Sequence, residues 1–176
     1  MSEQNIEDEG YFPQDEIEIG KYQERPKIIR SITLQVVARL LETYDCGIEI
    51  GGEEEEMPPF LRVQTLGGLQ FSAHVLDEGE FVLSPYDEGD ELVMGATFDV
   101  VGEGLSADQL HTVVNRWNRT HNHGTATLNE GLVAIDFVIV GEGLLSTKFV
   151  EMIEGWFTIV SDFVNFVKKE ALDEIS

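Results

Sequence analysis

The sequence predicts an α+β fold built on an antiparallel sheet, and three observations carry that prediction. Three stretches repeat their apolar residues at helical spacing, the segments between them alternate with the period of two expected of strands, and turn signals rich in Gly, Asp and Asn separate those strands at hairpin distance. The resulting order is one helix, a run of strands, a second helix, a hairpin and a last helix.

Residues 1–27 mix acids with Gly10, Pro13, Gly20 and Pro26 and show no sustained periodicity, which predicts a flexible acidic tail ahead of a single domain over 28–176. Ile17 and Ile19 alternate and could add a short edge strand; a solvated tail is the other reading. Ser31 is placed to cap the first helix, whose Val36, Val37, Leu40, Leu41 and Tyr44 share one face, and Asp45-Cys46-Gly47 ends it. Ile48 and Ile50 alternate as a short strand before Gly51-Gly52, the glutamate run at 53–56 and Pro58-Pro59 make a loop. Strand patterns come next at Leu61 and Val63, at Leu69, Phe71 and Ala73, at Phe81 and Leu83, and from Leu92 to Val101. Gly67-Gly68, Asp77-Glu78-Gly79 and the acidic turn from Asp87 to Asp90 separate them.

Ser106 with Gln109 forms a capping box for a second helix carrying Leu110, Val113, Val114 and Trp117, expected to end near Thr120. A hairpin comes after it, Thr125 to Leu128 and Leu132 to Val140, turning at Asn129-Glu130-Gly131, and Ser146 then caps the longest helix. In that helix Phe149, Met152, Ile153, Trp156, Val160, Phe163, Val164 and Val167 trace one core stripe. Val150, Phe157, Ile159 and Phe166 lie off it, so the apolar arc is wider than one sheet contact requires. A second subunit, a partner, or neighbouring elements of the same chain must cover the excess. Strand, Gly-Glu-Gly turn and serine-capped helix occur twice, from Val100 to Ser106 and from Ile139 to Ser146, an echo that shared turn chemistry explains.

The 176 residues suffice for one core, and a hydrophobic fraction of 42% is that of a globular chain. Charge is the unusual feature: 34 Asp and Glu face 11 Lys and Arg, for a formal net charge of -23. Nucleic-acid binding needs clustered cations and none occur, while the same negative field opposes anionic lipid surfaces and favours basic partners. Adaptation of the whole surface to salt explains the surplus equally well. Cys46 stands alone, which excludes an intramolecular disulfide and any multi-cysteine zinc site. With no signal-like start and no long apolar run, the expected location is the cytoplasm.

Candidate chemistries are sparse. Gly102-Glu103-Gly104-Leu105-Ser106-Ala107 matches the dinucleotide pattern G-x-G-x-x-A, with Glu130 near the place of the ribose-binding acid. The next strand is short, polar and part of a hairpin, so a tight turn accounts for the glycines better. His111, His121 and His123 are the place to look for a metal, but no carboxylate or cysteine completes a ligand set. The acidic runs lack calcium-loop order, and Asp45 disfavours a Cys46 thiolate. No G-x-S-x-G, P-loop or H-E-x-x-H occurs, so the expectation is a chain that is not an enzyme and holds no cofactor.

At Asn115-Arg116-Trp117-Asn118-Arg119 the chain carries an N-x-W-N segment late in a helix, succeeded by a turn, two strands and a Phe-rich final helix. This resembles the YbjN family of proposed bacterial sensory transduction regulators. The resemblance implies a type III secretion chaperone-like fold, α-βββ-α-ββ-α, with helices on one face of an antiparallel sheet. One or two additional strands stand in the middle here, and the tail has no counterpart. Asn115, Trp117 and Asn118 are expected to act structurally, Trp117 in the core and the asparagines on turn backbone groups. The leading functional expectation is a protein-interaction module, regulatory or chaperone-like, binding an unidentified protein through Trp156, Phe157, Phe163 and Phe166, or pairing with itself there as a homodimer. The alternative is a small-molecule or metal-binding sensor using the histidines or the Gly-Glu-Gly turns.

Overall fold

The computed structural model describes residues 27–52, 57–99 and 105–173, with side chains as far as Glu170. The acidic segment through Pro26, the glutamates at 53–56 and the Gly102-Glu103-Gly104 turn lie outside those residues. The element order is α1 (Leu34–Glu42), β1 (Gly47–Gly51), β2 (Phe60–Gln64), β3 (Gln70–Asp77), β4 (Glu80–Phe81), β5 (Glu91–Asp99), α2 (Ala107–Thr120), β6 (Thr125–Asn129), β7 (Leu132–Val140) and α3 (Ser146–Asp173). This is the expected α+β fold, with two strands more than the pattern the resemblance implies.

All seven strands join one sheet in the order β1-β2-β3-β5-β7-β6, with β4 pairing β3 beyond the end of β2, and every pairing is antiparallel. The two-residue loops Glu78-Gly79 and Glu130-Gly131 both have positive φ at each residue, the backbone of a hairpin turn whose twist matches its strands. Glu130 is thus a turn residue, and no two neighbouring strands run parallel, so the geometry a dinucleotide fold needs is absent among the described residues.

The register sets the two faces of the sheet apart. Leu61, Ala73 and Met94 line up across β2, β3 and β5, and Val75, Leu92 and Ile139 across β3, β5 and β7. These side chains are buried and belong to one cluster with Leu40 and Leu41 of α1, Val113 and Trp117 of α2, and Phe149, Ile153, Trp156 and Phe163 of α3. All three helices therefore lie on the same face. None of the described helices is long and apolar enough to cross a membrane.

Local signals placed most elements. Ser106 Oγ accepts from Gln109 N–H at 3.4 Å while Gln109 Oε1 accepts from Ser106 N–H at 2.7 Å, the capping box read from the sequence. Three boundaries differ. Ser146, expected to cap the last helix, is its first residue, and its N–H is donated to Lys27 O at 2.8 Å. The first helix is capped by Thr33, whose Oγ1 accepts from Val36 N–H at 3.2 Å, and not by Ser31. Ile32 is held extended by reciprocal backbone bonds with Gly89 at 2.8 and 2.9 Å, so the helix starts only after it. Residues 28–32 belong to the body of the fold, with Ile29 and Ile32 buried. Ile32 fits because Gly141 has no side chain: a Cβ there would lie 2.3 Å from Ile32 Cδ1. The strand expected through Leu83 stops at Phe81, because a turn closed by Asp87 N–H to Ser84 O at 3.1 Å draws the chain off the sheet and leaves Leu83 exposed.

Candidate interaction surface

The apolar face expected for docking on the last helix is closed. Trp156 is 0% and Phe163 1% exposed, so neither is available to a partner. Both sit on the same inward stripe as Phe149 and Val160. Trp156 packs edge-on to Phe71 of β3 at 5.6 Å, and Phe163 edge-on to Trp117 of α2 at 5.0 Å. The off-stripe residues are half-buried, each under an element of the same chain. Phe157 meets Tyr44 beyond α1 at 5.9 Å and Phe71 at 6.0 Å; Phe166 meets Trp117 and His121, both at 5.5 Å. Tyr44 also donates its hydroxyl to Glu154 at 2.9 Å, and burial together with that carboxylate holds the phenol well above its ordinary pKa. The wide arc of α3 is a three-sided core contact.

The N-x-W-N residues knit α2 to the edge of the sheet. Trp117 Nε1 donates to Gly124 O at 3.0 Å. Asn118 uses both ends of its amide on one residue of β6: Nδ2 donates to Ala126 O at 2.8 Å and Oδ1 accepts from Ala126 N–H at 2.8 Å. The side chain thereby imitates a neighbouring strand and closes the edge of β6 at that point. Asn115 takes no part; it is exposed on the outer face of α2, in a shallow hollow with Thr112, Arg116, Arg119 and Thr120.

The histidines are not brought together. His121 stacks flat on Trp117, centroids 3.6 Å apart, and its Nδ1 lies 2.9 Å from Thr120 Oγ1, whereas His111 is exposed on α2 and His123 in the loop beyond it. No group of three His, Cys, Asp or Glu side chains is arranged for a metal among the described residues. Cys46 is buried, and burial, then Asp45, pushes its thiol pKa up, away from nucleophile behaviour.

What remains open is the face of the sheet turned away from the helices. The register puts Phe60, His74, Val93 and Val138 in one row across β2, β3, β5 and β7, and Phe81, Leu76, Glu91 and Val140 in the next. His74 lies between two aromatic rings, stacked on Phe60 at 5.5 Å and edge-on to Phe81 at 5.4 Å. Its Nδ1 is buried with no hydrogen-bond partner, and burial lowers its pKa, so the ring is a neutral part of an apolar band. Phe81 is 50%, Val138 48% and Val140 57% exposed, and no described element covers them. The sequence carried a signal for this. From Leu132 to Val140 only Asp136 is polar, whereas a strand with one face in water alternates.

The profile of the family described as "Putative bacterial sensory transduction regulator", YbjN, matches residues 75–169, more than half of the chain. The chain belongs to the YbjN family. The match runs from the end of β3 through α3, so the family pattern contains the Trp117-Asn118 lock, the β6–β7 hairpin and most of the open face. No curated protein and no solved structure matches the chain.

Proposed function

We propose that this YbjN-family chain is a cytoplasmic, non-catalytic regulatory module that acts by docking a segment of another protein on the open face of its sheet. The observation that carries the reading is the apolar band from Phe81 and His74 to Val138 and Val140, on a face that no described helix covers. Monomers seldom leave such a contiguous patch to water without using it. The family's description as sensory transduction regulators supports a regulatory role. The partner surface is thus moved from α3, where Trp156 and Phe163 are core, to the opposite side of the sheet.

The test is photo-cross-linking in the source cells with the reactive residue at Val138 or Phe81, and at Glu151 on the exposed side of α3 as control. Discrete adducts at the two sheet positions, absent at Glu151, are the expected result. Adducts that form equally at Glu151, or none above background at Val138, would sink the reading. An adduct of twice the chain's mass at Val138, with a doubled mass by light scattering, would assign the face to a second copy.

A further inference from the structure

We propose that the open face is built for an extended, basic segment whose cationic side chains stand four residues apart with an apolar residue midway between them. The inference rests on the docking reading and names the chemistry of the partner.

The register places five charged side chains on this face: Glu49, Arg62, Glu91, Asp99 and Asp136. Arg62 is engaged by Glu49 at 3.1 Å. Three β-ladder spacings of about 4.8 Å separate Arg62 from Asp136, roughly 14 Å between their backbones, too far for them to pair. Glu91, Asp99 and Asp136 make no ion pair among the described residues. Asp136 is the central one. Gly95 lies directly across from it, and a Cβ at that glycine would stand 2.5 Å from Asp136 Oδ1, so the glycine leaves the carboxylate its room. The group is half-buried between Val138 and Ala134 of its own strand, and burial raises its pKa. A carboxylate placed in an apolar surface without a cation is costly for the chain alone and favourable once a cation from outside meets it.

Spacing makes the pattern specific. On β5, Glu91 and Asp99 lie four residues to either side of Gly95, the residue opposite Asp136. At about 3.4 Å per residue the three carboxylates succeed one another along the strand direction at intervals of roughly 14 Å. Val93 with Val138 fills one interval, and Thr97 with Ala134 the other. An extended segment laid along β5 and β7 rises by nearly the same amount per residue, so its cations at every fourth position meet the acids in step and its apolar residues meet Val93 and Val138. A second copy of this chain fits poorly, since each carries a net charge of -23.

The probe is a labelled nonapeptide, Lys-Thr-Val-Thr-Lys-Thr-Val-Thr-Lys, titrated with the full chain by fluorescence anisotropy at physiological salt. One comparison peptide has the same composition with the lysines consecutive, and the other keeps the spacing with glutamine in place of each lysine. The spaced peptide should bind at least tenfold more tightly than either. Asp136→Asn should weaken it about tenfold, the effect of losing one charge-assisted contact, and Gly95→Ala should weaken it by crowding the same carboxylate. Glu42→Gln, which removes one acid from the helix side, should change binding less than twofold. Equal binding of the consecutive-lysine peptide, or an Asp136→Asn variant that folds and binds within twofold of the parent, overturns the inference. Tight binding of the glutamine peptide that Val138→Asp abolishes would overturn the cationic partner while leaving the docking face standing. Failure of all three peptides to bind overturns the inference too, and cross-linking at Val138 then decides the docking reading independently.

Discussion

Replacing Asn118 with alanine removes two hydrogen bonds at once, both 2.8 Å long and both to the backbone of Ala126. Each contributes about 1 kcal/mol net. Asn118 is itself exposed, so water reaches part of the vacated edge and the loss should stay near 2 kcal/mol. For a domain of this size each kcal/mol moves the midpoint by about 2–4 °C, so Asn118→Ala should melt about 4–8 °C lower. Asn118→Asp is the sharper variant. A carboxylate still accepts from Ala126 N–H, but its second oxygen faces the carbonyl oxygen of Ala126 where an amide donated, so it should cost at least as much as alanine. Urea unfolding monitored by the emission of the buried Trp117 and Trp156 reads the stability, and amide exchange at Ala126 reads the edge itself. If both variants stay within about 0.5 kcal/mol of the parent and Ala126 remains protected, the strand-edge lock is refuted and Asn118 is free to be a ligand group.

Trp156→Ala should cost about 3–5 kcal/mol, as for a fully enclosed indole, while Val138→Thr on the open face, which keeps a β-branched side chain, should stay within about 0.5 kcal/mol; equal effects in urea unfolding would contradict the assignment of faces. His74→Phe should add about 1 kcal/mol at neutral pH by removing an unpartnered buried nitrogen. Because the pKa of His74 is lowered in the fold, its neutral form contributes stability above the free value of 6.5 that is lost as pH falls through the lowered value, and the phenylalanine variant should lack that acid limb in a pH series of melting temperatures. Asp136 has the opposite sign: its raised pKa favours folding below the free value of 3.8 and that contribution is lost as pH rises through the folded value. Asp136→Asn should therefore melt higher than the parent at pH 7, with the gain vanishing in acid; Glu49, Arg62, His74, Glu91 and Asp99 are the other charged or titratable groups on that face. A variant less stable than the parent at pH 7 would contradict an uncompensated carboxylate there.

Features that depend on a few neighbouring residues were legible in the sequence. The Ser106–Gln109 box, the Glu78-Gly79 and Glu130-Gly131 turns, and the stripe of α3 through Phe149, Ile153, Trp156, Val160 and Phe163 all stand where spacing and turn chemistry put them. The family resemblance likewise rested on Trp117, Asn118, the β6–β7 hairpin and the Phe-rich stretch of α3, which lie within the matched range. Trp156 and Phe163, expected at a docking surface, are core for an identifiable reason. Width of an apolar arc says that a helix face must be covered, but not by what, and here the cover is Tyr44, Phe71, Trp117 and His121.

By itself, then, the sequence determined the elements, their order and the antiparallel class of the sheet, because period, caps and turns are local and each residue bears them in its own neighbourhood. It also determined the acidity, which is a sum over residues and needs no structure. Only the tertiary structure decided which apolar residues remain outside. That Trp156 is core, that the Asn118 side chain completes a strand edge, that Ile32 delays the first helix until Thr33, and that Asp136 stands opposite a glycine on an open face all depend on pairings between elements distant in the chain. Sheet register creates those neighbours, and a shift of one residue would turn every side chain of a strand to the other face.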